Sequence, residues 1–401
     1  MSSVRMIDPA VRTNEITYAV RDVVLLADKA ARRGLEMLYL NIGDPNVFDF
    51  HTPPHIIEAV HKAMLANKNG YSASSGIKEA VAAVEKEAER KGIRNIRDIF
   101  ITTGVSEAID LCLTALANEG DNVLTPSPGY PLYQAILKKL NVIENSYYLE
   151  EANGWQPNVE EMASKINSRT RAIILINPNN PTGSVCSKEV LLQIIELAGQ
   201  HNLVLFADEI YDKLLLDGSE HVALASLNSE VPIITLNGLS KSFLVPGFRI
   251  GWGIISGEAA RIHTYVEAIN KLLRARLCAN HPMQYAIKPA LEGDQSHLKD
   301  VKARLTRRRD ITFQMLNSTP EISLTKPEGA FYAFPSLHIK RSDDDFVRAL
   351  IEETGVVVVP GSGFGQVSGT KHFRVVFLPD ENQLKKAYEK ILDFAIKFNK
   401  S

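Results

Sequence analysis

Two short runs, Ala172-Ile-Ile-Leu-Ile176 and Leu203-Val-Leu-Phe206, are apolar at every position, and the amphipathic stretch Lys188–His201 lies between them. A strand with one wet face alternates polar and apolar residues, whereas a strand covered on both faces does not. Unbroken apolar runs separated by helices therefore predict parallel strands joined by crossover helices. The same reading places strands at Asp98–Thr102, Asn122–Pro126, Arg171–Asn177, Leu203–Ala207, Pro232–Leu236 and Arg249–Ile255, with a further helix at Glu107–Ala117. The expected fold class is α/β, a large domain with a mainly parallel sheet sandwiched by helices. Functional side chains in such sheets gather in the loops after the carboxyl ends of the strands.

The remainder of the chain reads differently. Gly257–Gly293 has long helical character, with Val266, Ile269, Leu272 and Leu273 on one face. From about Leu298 the pattern becomes helix, strand, helix, with strands expected at Ala330–Phe334, Val356–Val359 and Phe373–Leu378. That predicts a smaller α+β domain. The helical Val23–Ala31 and the strand-like Glu36–Ile42 are expected to pack against it, making it discontinuous. The expected boundaries are residues 1–55 for the N-terminal segment, 56–295 for the large domain and 296–401 for the small one.

Composition narrows the function classes. A net charge of −2 over 401 residues points to neither nucleic acid nor an anionic membrane surface. Cys112, Cys186 and Cys278 are odd in number and widely spaced, which fits neither a disulfide framework nor a zinc site and suits a reducing compartment. No run of about eighteen apolar residues is present, and no apolar stretch separates Arg5, Asp8, Arg12 and Glu15 as a secretory signal requires. A cytoplasmic location is expected.

Chemistry-bearing motifs fall at the expected strand ends. Asn237-Gly-Leu-Ser-Lys241 is followed by Arg249 in a glycine-containing segment. An amine able to form a Schiff base, beside a hydroxyl and a guanidinium able to hold a phosphate, suits pyridoxal 5'-phosphate, which carries both an aldehyde and a phosphate. The plain alternative is a surface lysine in a loop. Asn177-Pro-Asn-Asn-Pro-Thr-Gly183 sets a sharp turn in which Asn180 offers an amide donor to a phenolate oxygen, or is simply a turn residue. Asp208, in Ala207-Asp-Glu-Ile-Tyr211, is a carboxylate at the end of a buried strand. It needs a partner such as a protonated pyridine nitrogen, or else caps the next helix. Tyr211 is placed to bond a ring hydroxyl.

Thr102-Thr-Gly-Val-Ser-Glu-Ala108 joins a strand to a helix, and its backbone N–H groups with the Ser106 hydroxyl form a phosphate cradle. In Pro128-Gly-Tyr-Pro-Leu-Tyr133, Tyr130 is either a stacking partner for a flat ring or a core aromatic. Arg374 stands inside the apolar run Phe373-Arg-Val-Val-Phe377, where a guanidinium binds a carboxylate with a fork of N–H donors or joins an internal salt bridge. Gly361-Ser-Gly-Phe-Gly365 has the wrong glycine spacing for a dinucleotide fingerprint. His51, His55 and His61 lack the i, i+4 pairing of a zinc helix.

Taken in order, these motifs resemble the fold-type I, class I/II pyridoxal-phosphate aminotransferases over nearly the whole chain. Asn41-Ile-Gly-Asp-Pro45, Phe206–Lys213, Asn237–Lys241 and Arg276-Leu-Cys-Ala-Asn280 look most like the alanine-synthesising members of bacteria and archaea. The resemblance implies a seven-stranded sheet and a ping-pong transamination, most simply alanine with 2-oxoglutarate. Aspartate, branched-chain or aromatic donors, a β-lyase reaction, and a non-enzymatic sensing module remain alternatives. It implies that Lys241 bonds the cofactor and shuttles a proton, that Asp208 pairs with the pyridine nitrogen, and that Asn180 and Tyr211 meet the ring oxygen. Ser106, Ser240 and Arg249, with backbone from Gly104 and Val105, would hold the phosphate, and Tyr130 would stack on the ring. Arg374, aided by the Gly43 backbone, would clamp the α-carboxylate. Tyr71 would reach the phosphate of a partner subunit, which implies a homodimer. Tyr18 with Arg21, or Arg276, would receive a distal carboxylate. One departure stands out: Gly238 occupies a place where many relatives carry serine.

Overall fold

A computed structural model describes residues 7–14, 16 and 19–400, with the side chains of residues 19–22 left aside. Its central sheet runs, edge to edge, Ile96–Thr102, Gly251–Ser256, Ile233–Gly238, Val204–Asp208, Thr170–Ile176, Asn122–Ser127, Ile143–Glu150 and the short Gln156–Pro157. Gly251–Ser256 is antiparallel to both neighbours and Gln156–Pro157 is antiparallel to its one partner, while the other pairs from Ile233–Gly238 to Ile143–Glu150 are parallel. The central strands Val204–Asp208 and Ile233–Gly238 are buried at every position, the polar Asp208, Thr235 and Asn237 included.

The helix Lys188–Gln200 starts where Ser187 accepts a hydrogen bond from the Val190 N–H at 3.2 Å, a side-chain cap of the first turn. Its apolar side buries Leu191, Ile194, Ile195, Leu197 and Ala198. On the other face of the sheet, Val105–Leu116 buries Ala108, Ile109, Cys112 and Leu113 in a second core with Phe206, Ile234 and Leu236. Adjacent residues of one strand, such as Leu205 and Phe206, thus enter different cores, as the period of two requires.

Several elements differ from expectation. Ile143–Glu150 was not foreseen as a strand, because only Tyr147 and Leu149 in Ile-Glu-Asn-Ser-Tyr-Tyr-Leu-Glu are fully buried. The strand expected from Arg249 starts at Gly251, since Arg249 itself is left-handed with φ 50°. The stretch Gly257–Gly293, expected to have long helical character, is Ala259–Ala275 followed by the short His281–Gln284 and Ile287–Glu292. The break comes at Leu277, φ 75°, just before Asn280 and Pro282.

Past residue 296, helices His297–Leu316, Asp343–Thr354 and Glu381–Lys400 pack with very short strands, of which only Phe373–Val376 reaches four residues. Leu38–Tyr39 pairs in parallel with Val356–Val357, tying the N-terminal segment to this part of the chain. Tyr332–Ala333 and Val359–Pro360 flank Phe373–Val376 on either side. Among the described residues, no helix is long and apolar enough to cross a membrane.

Candidate active site

Successive parallel strands end at one edge of the sheet and deliver Val105 and Ser106, Tyr130, Asn180, Asp208 and Tyr211, and Ser240 and Lys241 to one cavity of about 590 Å³. Gly251–Ser256 runs the other way, so its start rather than its end lies at that edge, and Arg249 just before it joins the same wall. Gly43, Asp44, Tyr332 and Arg374 close the cavity from the opposite side. Its volume is within the range typical of small-molecule sites.

Lys241 donates from Nζ to the Gly43 carbonyl at 2.8 Å. Burial brings its amine down from the usual lysine value to about 8; Asp44 opposes that shift, and Arg374 and Arg249 add to it. A lysine so placed offers a neutral, nucleophilic nitrogen far more readily than an exposed one.

Asp208 is 3% exposed. It accepts from the Tyr133 hydroxyl at 3.1 Å and from the Ile210 N–H at 3.3 Å. Burial nonetheless pushes its carboxyl up to about 6, against the lowering effect of those two donors. A carboxylate still this costly after two hydrogen bonds suits a cationic partner from the cavity. Two other members of its motif face elsewhere: Lys213 donates to Glu87 at 2.8 Å and Glu209 accepts from the Leu224 N–H at 2.9 Å.

Arg374 donates to the Asn41 carbonyl at 2.7 Å and to Oδ1 of Asn180 at 3.2 Å. Because a guanidinium only donates, Asn180 must present its oxygen to Arg374 and its NH₂ end elsewhere. Tyr211 and Tyr332 share a buried hydrogen bond of 2.9 Å between their hydroxyls. Burial, then the neighbouring Tyr332, holds the Tyr211 phenol well above its ordinary pKa, so it acts as a donor rather than a phenolate.

The cradle beside the helix Val105–Leu116 is shaped by glycine. Gly104 has φ 75°, and a Cβ there would lie 2.5 Å from Nη2 of Arg249; a Cβ at Gly251 would lie 2.5 Å from the Val105 nitrogen. The helix start is therefore pressed close to the guanidinium, with first-turn N–H groups that have no carbonyl a turn earlier. At Gly238, a Cβ would lie 2.7 Å from the Ile250 carbonyl oxygen, so the close approach of these two strands leaves no room for serine.

Residues 36–391 match the aminotransferase class I and II family. The chain belongs to this family. It is 39% identical over 399 residues to the glutamate-pyruvate aminotransferase AlaA of Haemophilus influenzae, covering 97% of this chain and 98% of that protein. It is 39% identical to the alanine aminotransferase of Mycobacterium tuberculosis, covering 96% and 92%. The solved alanine aminotransferase of Pyrococcus furiosus superposes with a TM-score of 0.94 at 38% identity, covering 97% of this chain and all of that one.

Class I and II aminotransferases depend on pyridoxal 5'-phosphate, and the residues of this aminotransferase fit that group. The glycine-lined cradle with Arg249 suits its phosphate, the buried Asp208 its pyridine nitrogen, the amide of Asn180 and phenol of Tyr211 its ring oxygen, and the Lys241 amine its aldehyde. Tyr130 and Ser240 also line the cavity.

Other expected residues stand apart. Arg276 does not line the cavity; it donates to the Ser74 and Ile101 carbonyls at 3.1 and 2.7 Å and lies 3.6 Å from Glu107. Tyr71 is 82% exposed. Tyr18 lies outside the described residues, and Arg21 is described only as part of the helix Ala19–Arg32. Among the described residues no group of three His, Cys, Asp or Glu side chains is placed to hold a metal ion. Tyr133, Tyr332 and Asp44 were missed as site residues. Tyr133 had a local signal, standing three residues after Tyr130 at the start of one helix, and Asp44 stands in the run Asn41–Pro45.

Proposed function

We propose that this aminotransferase moves an amino group between L-alanine and 2-oxoglutarate, giving pyruvate and L-glutamate in two half-reactions at one site. The observation that carries this choice of substrates is the near-full-length likeness, at 38–39% identity, to proteins named for glutamate–pyruvate or alanine transamination.

The bound cofactor supplies an electron sink for the pair left when the substrate Cα loses its proton. Lys241 holds that cofactor covalently and afterwards carries the proton at Nζ, which burial keeps easily deprotonated. Asp208 keeps the pyridine nitrogen protonated, and Tyr133 keeps Asp208 in place. Asn180 and Tyr211 orient the ring oxygen, Tyr130 covers the ring, and Ser106, Ser240, Arg249 and the Gly104–Val105 backbone anchor the phosphate. Arg374 receives the α-carboxylate that alanine and 2-oxoglutarate share. Arg21 receives the distal carboxylate of 2-oxoglutarate; it stands one turn before Val24, which lines the cavity.

The protein is a homodimer in a reducing, cytoplasmic compartment. Tyr71 serves a second copy, because its loop is held away from its own cavity. Gln284 accepts from the Ile77 N–H at 2.8 Å and donates to Ser72 at 3.0 Å, while His281 meets the Gly70 carbonyl at 2.8 Å. Apolar side chains at Ile57, Met64, Leu65 and Leu277 are exposed as well.

Steady-state assays with alanine, aspartate, valine, tyrosine and cystathionine test the assignment. Alanine with 2-oxoglutarate is expected to give the highest kcat/KM, and a higher value for any other donor would overturn the choice.

A further inference from the structure

Tyr332 belongs to no motif, yet it lies against Tyr211, Arg374 and Gly43 at once. Its hydroxyl is 2.9 Å from that of Tyr211, and the two rings meet edge to face at 89° with centroids 5.7 Å apart. Its ring lies 4.7 Å from the guanidinium carbon of Arg374, whose other aromatic neighbour, Phe364, lies at 4.8 Å. A Cβ on Gly43 would fall 2.2 Å from the Tyr332 hydroxyl oxygen, and the Gly43 carbonyl is the acceptor for Lys241. The Tyr332 carbonyl in turn lies where a Cβ on Gly183, at the end of the Asn180 turn, would meet it at 2.7 Å.

Each contact has a chemical consequence. Two aromatic rings against a planar guanidinium bring a carboxylate to its edge, where the N–H forks are. Either phenol of the pair can donate; when Tyr332 does, it takes up one of the acceptor positions of the Tyr211 hydroxyl. The Tyr211 proton is then directed to another oxygen in the cavity.

We propose that Tyr332 is a positioning residue that couples the carboxylate clamp to the cofactor contact, its ring holding Arg374 and its hydroxyl orienting Tyr211. The inference rests on the roles proposed above for Arg374 and Tyr211, and it assigns Tyr332 two separable duties. The hydroxyl acts on the ring oxygen of the cofactor. The aromatic face acts on substrate binding.

Two variants of the cofactor-loaded enzyme separate them. Tyr332→Phe keeps the ring and removes the hydroxyl. A donor aimed at the ring oxygen stabilises its negative charge, so losing that aim makes the group easier to protonate. The pH midpoint of the bound cofactor's visible absorbance is expected to rise by about half a unit or more, with KM for alanine and 2-oxoglutarate within about twofold. Tyr332→Met removes the face as well, and both KM values are expected to rise roughly tenfold.

A Tyr332→Phe midpoint that stays put while Tyr211→Phe moves it would overturn the inference and leave the role of Tyr211 standing. If Tyr211→Phe moves nothing either, both fall. Unchanged KM values in Tyr332→Met would overturn the duty of the aromatic face. A purely structural residue would lower the melting temperature of Tyr332→Phe without moving the midpoint. Should Tyr332→Met fail to fold, the isosteric Tyr332→Phe still decides the duty of the hydroxyl.

Discussion

Tyr133 donates its hydroxyl to Oδ2 of Asp208 across 3.1 Å, with both groups buried beneath the cavity. This contact favours the charged form of a carboxyl that burial otherwise drives up to about 6. Tyr133→Phe removes the donor, so Asp208 ionises at higher pH and pairs less well with a pyridinium. The dissociation constant of pyridoxal 5'-phosphate, from fluorescence titration at pH 7, is expected to rise about tenfold. As pH falls, binding is expected to weaken sooner than in the parent.

Asp208 also carries a stability cost in the cofactor-free protein. Its folded value, about 6, lies above the ordinary 3.8, so folding favours the protonated form. That contribution is fully present below about pH 4 and is lost as pH rises through 6. Asp208→Asn has no charge to bury. Its cofactor-free melting temperature is expected to match the parent near pH 4 and to exceed it above pH 6, where its unfolding free energy is expected to be larger by on the order of 3 kcal/mol. Its kcat is expected to fall at least about a hundredfold.

Lys241 provides a third pH signature. Burial lowers its amine from 10.5 to about 8, so the neutral nitrogen that attacks an aldehyde becomes abundant two or so units earlier than in a free lysine. The rate at which cofactor-free protein captures the cofactor covalently is expected to climb with pH and level off above about 8. A rate still climbing toward pH 10 would show an unperturbed amine.

The Arg374 guanidinium carbon lies 4.7 and 4.8 Å from the Tyr332 and Phe364 ring centroids, and the side chain hydrogen-bonds to Asn41 and Asn180. Lysine keeps the charge but not the planar fork. Arg374→Lys is expected to raise KM for alanine and for 2-oxoglutarate together, each by roughly a hundredfold, with a smaller change in kcat. An effect on only one substrate would contradict a clamp for the carboxylate they share.

Much of the large sheet is legible in the chain because its inner strands are covered on both faces, which forces apolar residues at every position from Ala172 to Ile176. On its outer side Ile143–Glu150 has only the two-residue strand Gln156–Pro157, and its polar positions hide it. Asp208, Asn180, Lys241 and Arg374 are readable for a related reason: each is a polar group where burial demands a partner. Tyr332 is not readable. Its place depends on pairing opposite Val376 and on the approach of Gly43, a long-range arrangement with no local trace. Arg276 looked as eligible as any arginine, and only the fold reveals that its Nη2 donates to the Ser74 and Ile101 carbonyls.

Borohydride reduction of the protein loaded with pyridoxal 5'-phosphate, followed by peptide mapping, tests the covalent role of Lys241 most directly. A single pyridoxyl label is expected on Lys241, absent from Lys241→Ala, which is also expected to be inactive. A label on another lysine, no label at all, or substantial turnover by Lys241→Ala would contradict it.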